Sequence, residues 1–121
     1  MDNKDFFFID VLKIMPDDIY CYIQSPDLED NIVLGMMLPT EYDYYQCVHL
    51  DKNNKDRFIE RLRNETVLEY FQSIEIKKDS ILLFEGYDGI ESGKISKNIT
   101  IPTWFKKKYK EDWDYTISID W

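Results

Sequence analysis

From residue 14 to residue 51 the chain has 38 consecutive positions without a lysine or arginine, and eight carboxylates lie among them. They are Asp17, Asp18, Asp27, Glu29, Asp30, Glu41, Asp43 and Asp51. Apart from Asp17 and Asp51, which lie near the bounding Lys13 and Lys52, these acids have no basic neighbour in sequence, so they must face solvent or meet a cation from elsewhere. That restricts how this third of the molecule can be buried. The asymmetry extends over the chain: residues 1–50 hold ten acids and two bases, net −8, against a total of −9. Residues 51–100 hold ten acids and nine bases, and residues 101–121 hold four of each. Tyr20, Tyr22, Tyr42, Tyr44 and Tyr45 are interleaved with the acidic positions. A concentrated negative field speeds encounter with positive partners, and aromatic side chains set within it can anchor a docked surface. The pattern points to binding rather than catalysis.

A chain of 121 residues suits a single domain spanning 1–121, with enough length for its own core. A hydrophobic fraction of 44% with 16% aromatics argues for a folded globule and against disorder. With four glycines and four prolines there is no flexible linker, and no repeat or low-complexity tract is visible. The longest apolar run, residues 32–38, is seven long with a Gly inside it, against the roughly 20 residues a membrane span needs. The start, Asp2, Asn3, Lys4 and Asp5, does not read as a signal peptide. Two cysteines, Cys21 and Cys47, make no disulfide framework. A cytoplasmic location is the expectation. Net acidity weighs against direct contact with nucleic acid or an anionic membrane, because phosphate contacts need Lys and Arg. The basic run Lys106, Lys107, Lys108 and Lys110 reads as a solvated helix face.

Periodicity assigns most elements. In residues 4–15, Asp10 and Lys13 fall three apart, which suits one face of a helix and leaves Phe7, Phe8, Val11, Leu12 and Met15 on the other. Pro16 ends it. Residues 18–24 alternate, with Ile19, Cys21 and Ile23 against Tyr20, Tyr22 and Gln24, and read as a strand. Ser25-Pro26 could start a helix with Asp27, Glu29 and Asp30 at its positive end. Residues 32–38 are apolar all round and fit a helix or a buried strand, with the balance toward strand. Alternation returns over 42–50, Tyr42, Tyr44, Gln46, Val48 and Leu50 against Asp43, Tyr45, Cys47 and His49. The clearest helix runs from 55 to 71 on Phe58, Ile59, Leu62, Thr66, Val67, Tyr70 and Phe71, capped by Asn53 or Asn54. Strands at 74–77, 81–87 and 95–99 follow, with turns at Lys78-Asp79 and Asp88-Gly89. A last helix opens at Thr100-Ile101-Pro102 with Trp104, Phe105 and Tyr109 on its apolar side, and 115–119 alternate as a final strand. The sum is an α+β single domain, a mostly antiparallel sheet with two or three packed helices.

Chemistry finds little footing. His49 and Cys47 share one face of a strand, a spacing poorly suited to a hydrogen-bonded nucleophile pair unless Cys21 completes it in space. No second ligand pair has zinc-site spacing, and neither a calcium loop nor a phosphate-binding loop is present: Phe84-Glu85-Gly86-Tyr87-Asp88-Gly89 has no lysine and carries acids. The expectation is a non-enzyme without catalytic, metal or cofactor-binding residues and with no cofactor. The cluster Glu41, Tyr42, Asp43, Tyr44 and Tyr45 places tyrosines on both faces of a strand, so one face shows rings beside carboxylates. That suits a basic protein partner whose Arg and Lys meet both charge and ring. The candidate partner-binding set is therefore Asp17, Asp18, Asp27, Glu29, Asp30, Glu41, Tyr42, Asp43, Tyr44 and Tyr45. A strand packed on both faces is the competing reading of the tyrosines.

The second half carries a likeness. The stretch Leu83, Phe84, Glu85, Gly86, Tyr87, Asp88, Gly89, Ile90, Glu91, then Ile95, Ser96, Lys97, then Ile101, Pro102, Phe105 and Tyr109, and a closing Ile117, Ser118, Ile119, Asp120, Trp121 resembles small immunity proteins. These accompany bacterial polymorphic and contact-dependent growth inhibition toxins. The likeness covers about residues 80–121, and the first half matches in character only. It implies a cytoplasmic inhibitor that binds one cognate toxin domain, often a nuclease and hence basic, by steric and electrostatic occlusion. It transfers no functional residue. Two other readings stay open: an acidic adaptor or protein-interaction module, and a nucleic-acid mimic with carboxylates at phosphate-like spacing. The 32–38 apolar run interrupts any continuous mimic. Whether the chain pairs with itself is open.

Overall fold

A computed structural model describes residues 3–29, 31–41, 45–64, 70–87, 92–96 and 98–109. The first helix, α1 (Asn3–Ile14), forms where the spacing predicts. Its burial is wider than an amphipathic stripe: Phe7, Phe8, Ile9, Asp10, Val11 and Leu12 are all buried, and Lys13 is exposed. A helix hydrophobic nearly all round belongs inside a fold. After Pro16 and a left-handed Asp18 (φ 57°) the chain enters β1 (Ile19–Gln24), with Ile19, Cys21 and Ile23 buried.

The 32–38 run resolves as α2 (Asn31–Met36) followed by the two-residue strand β2 (Leu38–Pro39), correcting the preference for a single strand. The reason lies in the layering. A strand apolar on both faces needs cover on both, and the described helices cover one face of this sheet. As a helix the run puts Val33 in the core with Leu34, Met36 and Met37 packed beside it. The helix does not begin at Ser25-Pro26. Strand β3 (Tyr45–Leu50) and helix α3 (Lys55–Asn64) follow, with Phe58, Ile59 and Leu62 buried. The predicted cap shifts by a few residues: Asp51 Oδ1 accepts from the Asn53 and Asn54 amides at 2.8 and 3.1 Å, and Asn54 Oδ1 accepts from the Asp51 amide at 2.7 Å. That reciprocal pair closes the turn leading into α3. Tyr70 is exposed and Phe71 is buried outside the helix, while Thr66 and Val67 lie outside the described residues.

Strands β4 (Ser73–Lys78) and β5 (Ile81–Tyr87) form a hairpin through Asp79 and Ser80, and β6 (Ser92–Ile95) starts earlier than its predicted 95–99. Helix α4 (Thr103–Tyr109) buries Phe105 and leaves Trp104 exposed. Asp88-Gly89 and the predicted strand at 115–119 lie outside the described residues. Among the described residues the sheet is antiparallel throughout, in the order β2-β3-β1-β4-β5-β6, and four helices accompany it. The fold is α+β. No helix among the described residues is long and apolar enough to cross a membrane.

One cluster joins the layers. Phe7 meets Phe84 of β5 and Phe105 of α4, both at 6.1 Å between centroids, and Phe8 meets Phe71 at 6.1 Å and Phe84 at 6.4 Å. Each such buried ring contributes on the order of 2–3 kcal/mol. Asp10, with a side chain 3% exposed, accepts from Lys108 Nζ of α4 at 2.6 Å and faces Lys13 at 3.6 Å. Lys106, Lys107 and Lys108 are exposed, as a solvated face requires, and Lys108 in addition ties that face to the buried Asp10. A bulge between Ile76 and Lys77 shifts the β4–β5 register, with Phe84 opposite Ile76 and Leu82 opposite Lys77, and both Leu83 and Phe84 are buried.

Two stability experiments follow. A Cβ at Gly93 would stand 2.7 Å from two atoms of the Phe84 ring and 3.1 Å from the Glu85 carbonyl. Gly93→Ala should therefore cost about 1–3 kcal/mol in urea unfolding, by overpacking a core ring. Lys108→Met, which removes the 2.6 Å partner of the buried Asp10, should cost about 1–3 kcal/mol, and Asp10→Leu in the same chain should restore most of it.

Candidate functional site

The pleat sends alternate residues to opposite faces, and the two faces of this sheet differ in kind. Ile19, Cys21, Val48, Leu50, Ile74, Ile76 and Phe84 lie in the core. Their neighbours on the other face are Tyr20, Tyr22, Tyr45, Cys47, His49, Glu75, Lys77 and Glu85, set side by side by the register. Tyr20 pairs with His49 and Lys77, Tyr22 with Cys47 and Glu75, and Glu75 with Glu85. All of them but the buried Cys47 are exposed or half-buried. The Tyr20 and His49 rings stack at 4.6 Å and 14°. Lys77 Nζ lies 5.2 Å over the Tyr22 ring and 3.5 Å from Glu75 Oε2, so the face already holds one of its own cations between a ring and a carboxylate.

A groove of about 750 Å³ runs over this face. Tyr20, Tyr22, Lys77 and Cys47 are in its wall, Leu38, Pro39, Thr40 and Glu41 border it on one side, and Asp79 and Ser80 of the hairpin turn border it on another. Leu38 is 60% exposed and Tyr20 43%, an apolar and an amphipathic surface beside exposed carboxylates. The sheet edge next to it is closed to a further strand. Strand β2 pairs only with Cys47 and Gln46, Pro39 has no N–H to offer, and Asn54 Nδ2 donates to the His49 carbonyl at 2.9 Å. The face, not this edge, is the accessible surface.

The residues singled out from sequence divide. Asp17 and Asp18 are exposed ahead of β1, while Asp27 and Glu29 are exposed beyond its other end, about 20 Å of strand away. Glu41 and Tyr45 belong with the second group, since Tyr45 pairs with Gln24 and its carbonyl accepts from Thr40 Oγ1 at 2.8 Å. Asp30, Tyr42, Asp43 and Tyr44 lie outside the described residues. The Asp17 and Asp18 end is partly offset by the chain's own bases. Lys78 Nζ donates to the Asp17 carbonyl, and His49 Nε2 stands 3.5 Å from Asp18 Oδ1. Lys55 Nζ donates to the Met15 carbonyl at 2.7 Å; burial lowers its pKa, and the charge of Asp17 pulls it back up. Sequence reasoning passed over Leu38, Lys77, Asp79 and Ser80. Asp79 and Ser80 sit in a half with almost balanced charge, and only strand order brings them beside Tyr20. The signal for Tyr20 and Tyr22 was present in their alternation with Ile19, Cys21 and Ile23.

The thiols do not converge with the histidine. Cys21 faces the core, fully buried, and burial pushes its thiol well above the ordinary range, with Cys47 adding to the rise. Cys47 lies on the groove face beside Leu38 and Tyr22, its thiol also raised by burial. No group of three His, Cys, Asp or Glu among the described residues is arranged to hold a metal ion. Comparison with family models, with curated proteins and with solved structures gives no match for this chain.

Both cysteines protonated in the fold implies slow alkylation at pH 8, where an ordinary thiol of pKa about 8.5 is already partly thiolate. Iodoacetamide with mass-spectrometric readout should label Cys47 at least tenfold faster than Cys21. Leu38→Ala should accelerate Cys47 and leave Cys21 unchanged, and raising the pH from 8 to 9 should accelerate Cys47 by a larger factor in the folded chain than in urea-unfolded chain, because a thiol still well below its pKa gains thiolate about tenfold per pH unit.

Proposed function

We propose that this chain is an inhibitory binding protein of the immunity type, which holds one cationic protein, a toxin domain, against the open face of its sheet. The observation that carries this reading is the pairing of exposed Tyr20 and Leu38 with the carboxylates of Glu41 and Asp79 around one groove, on a chain of net charge −9. The two kinds of group have separate tasks. Long-range attraction belongs to the acidic residues: Asp17 and Asp18 at one end of β1, Asp27, Glu29 and Glu41 at the other, with Asp30 and Asp43. They raise the rate at which a basic partner arrives and orient it. Holding belongs to the rings and Leu38, because a desolvated aromatic or aliphatic anchor lowers the rate of departure.

A nuclease domain fits as partner, since a cleft that attracts phosphates must be basic. Occlusion needs no catalysis by the inhibitor; a protein of this size seated over such a cleft excludes the substrate by volume and cancels the field that draws it. The resemblance of residues 80–121 to immunity proteins supports the same reading independently of the charge argument.

The test is inhibition and binding kinetics against the toxin domain encoded beside this chain. Stoichiometric addition should abolish toxin activity. Reversal to Lys at Asp17, Asp27, Glu29, Asp30, Glu41 and Asp43 together should slow association about tenfold or more at low salt, with little change in dissociation. Tyr20→Ala and Leu38→Asp should each speed dissociation about tenfold or more. An unprotected toxin, or kinetics untouched by every one of these changes, would overturn the proposal.

A further inference from the structure

One end of the groove, at Tyr20, Asp79 and Ser80, adjoins a site equipped for a particular side chain, which His49 and Asp18 complete from beside the groove. Tyr20 and His49, opposite one another on β1 and β3, form a flat stacked pair. Asp18 stands against the His49 edge of that pair, at 3.5 Å. Asp79 and Ser80 border the same end, because Tyr20 pairs with Lys77 and the β4–β5 turn begins one residue beyond Lys78. The three described non-glycine residues with positive φ are Asp18 at 57°, Asp79 at 51° and Ser80 at 68°. They are therefore gathered around the ring pair. Among the described residues no lysine or arginine lies over Tyr20 or His49, whereas Lys77 lies over Tyr22 beside Glu75, one alternation along the same strand. The protein thus displays, with its own lysine, the mode of cation binding that the neighbouring position offers to another molecule.

We propose that the Tyr20–His49 pair, flanked by Asp18 and Asp79, receives an arginine side chain of the protein partner. The proposal deepens the reading of this face as a docking surface. Geometry selects arginine over lysine. A guanidinium is planar and weakly hydrated, so it can stack on the remaining face of a ring of the pair and still direct N–H groups sideways to carboxylates. An ammonium is compact, strongly hydrated and indifferent to a flat seat. Charge selects a cation in general: the seat carries two carboxylates, and the nearby Lys77 is held by Glu75 and the Tyr22 ring. The rest of the groove, past Tyr22 toward Leu38 and Glu41, has room for the residues that flank the arginine.

The experiment is an NMR titration of the labelled chain with two synthetic probes at low salt, a Gly-Arg alternating peptide and a Gly-Lys peptide of the same length and charge. Expected are amide shifts at Tyr20, His49 and Asp79, and a Kd at least threefold lower for the arginine peptide. Asp18→Asn with Asp79→Asn should erase that preference without unfolding, because asparagine tolerates positive φ well. Tyr20→Ala should do the same, and Asp56→Asn on α3 should leave the preference intact. Equal Kd values for the two peptides, or shifts confined to other surfaces, would overturn the arginine seat. The two proposals fail separately. An arginine preference without toxin inhibition leaves the seat and removes the immunity role. Toxin inhibition indifferent to Tyr20→Ala and to the double Asn variant does the reverse.

Discussion

Everything on the functional face depends on cover being one-sided. Helix α1 is buried on almost every side, with the sheet on one flank and α3 and α4 on others, so it takes most of the apolar surface the strands can offer. Phe7 and Phe8 fix that arrangement by touching β5, α4 and Phe71, two residues ahead of β4. Once the described helices are committed to that side, the opposite face of the pleat must be built from side chains that tolerate water. Tyrosine, histidine, glutamate and lysine at alternate positions are what that requires. A tyrosine there keeps its ring against its neighbours and its hydroxyl toward solvent.

Charge follows from the same packing. The fold draws several of its cations inward or onto its own backbone: Lys108 to Asp10, Lys55 to the Met15 carbonyl, Lys78 to the Asp17 carbonyl and Lys77 to Glu75 and Tyr22. Asp17, Asp18, Asp27, Glu29 and Glu41 stay exposed. The outward field is thus offset at the Asp17 and Asp18 end, where Lys55, Lys78 and His49 are held, and less so at Asp27, Glu29 and Glu41 beyond the other end of β1. The inward pair also matters to the fold, since a carboxylate such as Asp10 is stable in a core only with a charged partner in contact.

Much of this was legible before any coordinates. Alternation in 18–24 found β1 and its two faces, the 3.6-residue spacing found α1 and the start of α3, and the class followed from their sum. What was not legible is instructive. The 32–38 run has no polar residue to reveal its period, so only knowledge that one sheet face lacks described cover decides for α2. Asp51 displaced Asn53 and Asn54 as the cap because either Asx pattern satisfies local rules, and tertiary demand decides: Asn54 is also needed at the His49 carbonyl. The acidic set looked like one surface because it is contiguous in sequence. A six-residue strand is long enough to carry its two halves to opposite ends of a sheet, and Asp79 enters from a distant hairpin.

The turn that brings Asp79 in is itself informative. Two central residues with positive φ match the twist of a two-residue hairpin, a place where Asn-Gly is favoured because other side chains strain there. Asp79 and Ser80 occupy it instead. A substitution to glycine at either position would relax the backbone and delete a polar group at the groove. Retaining two strained polar residues where relaxed ones would fold better is reasonable if the groove uses what they present. The same reasoning covers Asp18, left-handed beside His49. Local strain and the ring pair coincide at one end of the face, and the closed β2–β3 edge discourages the competing route of strand addition. That coincidence is what favours the proposed binding through the face over strand addition at the edge.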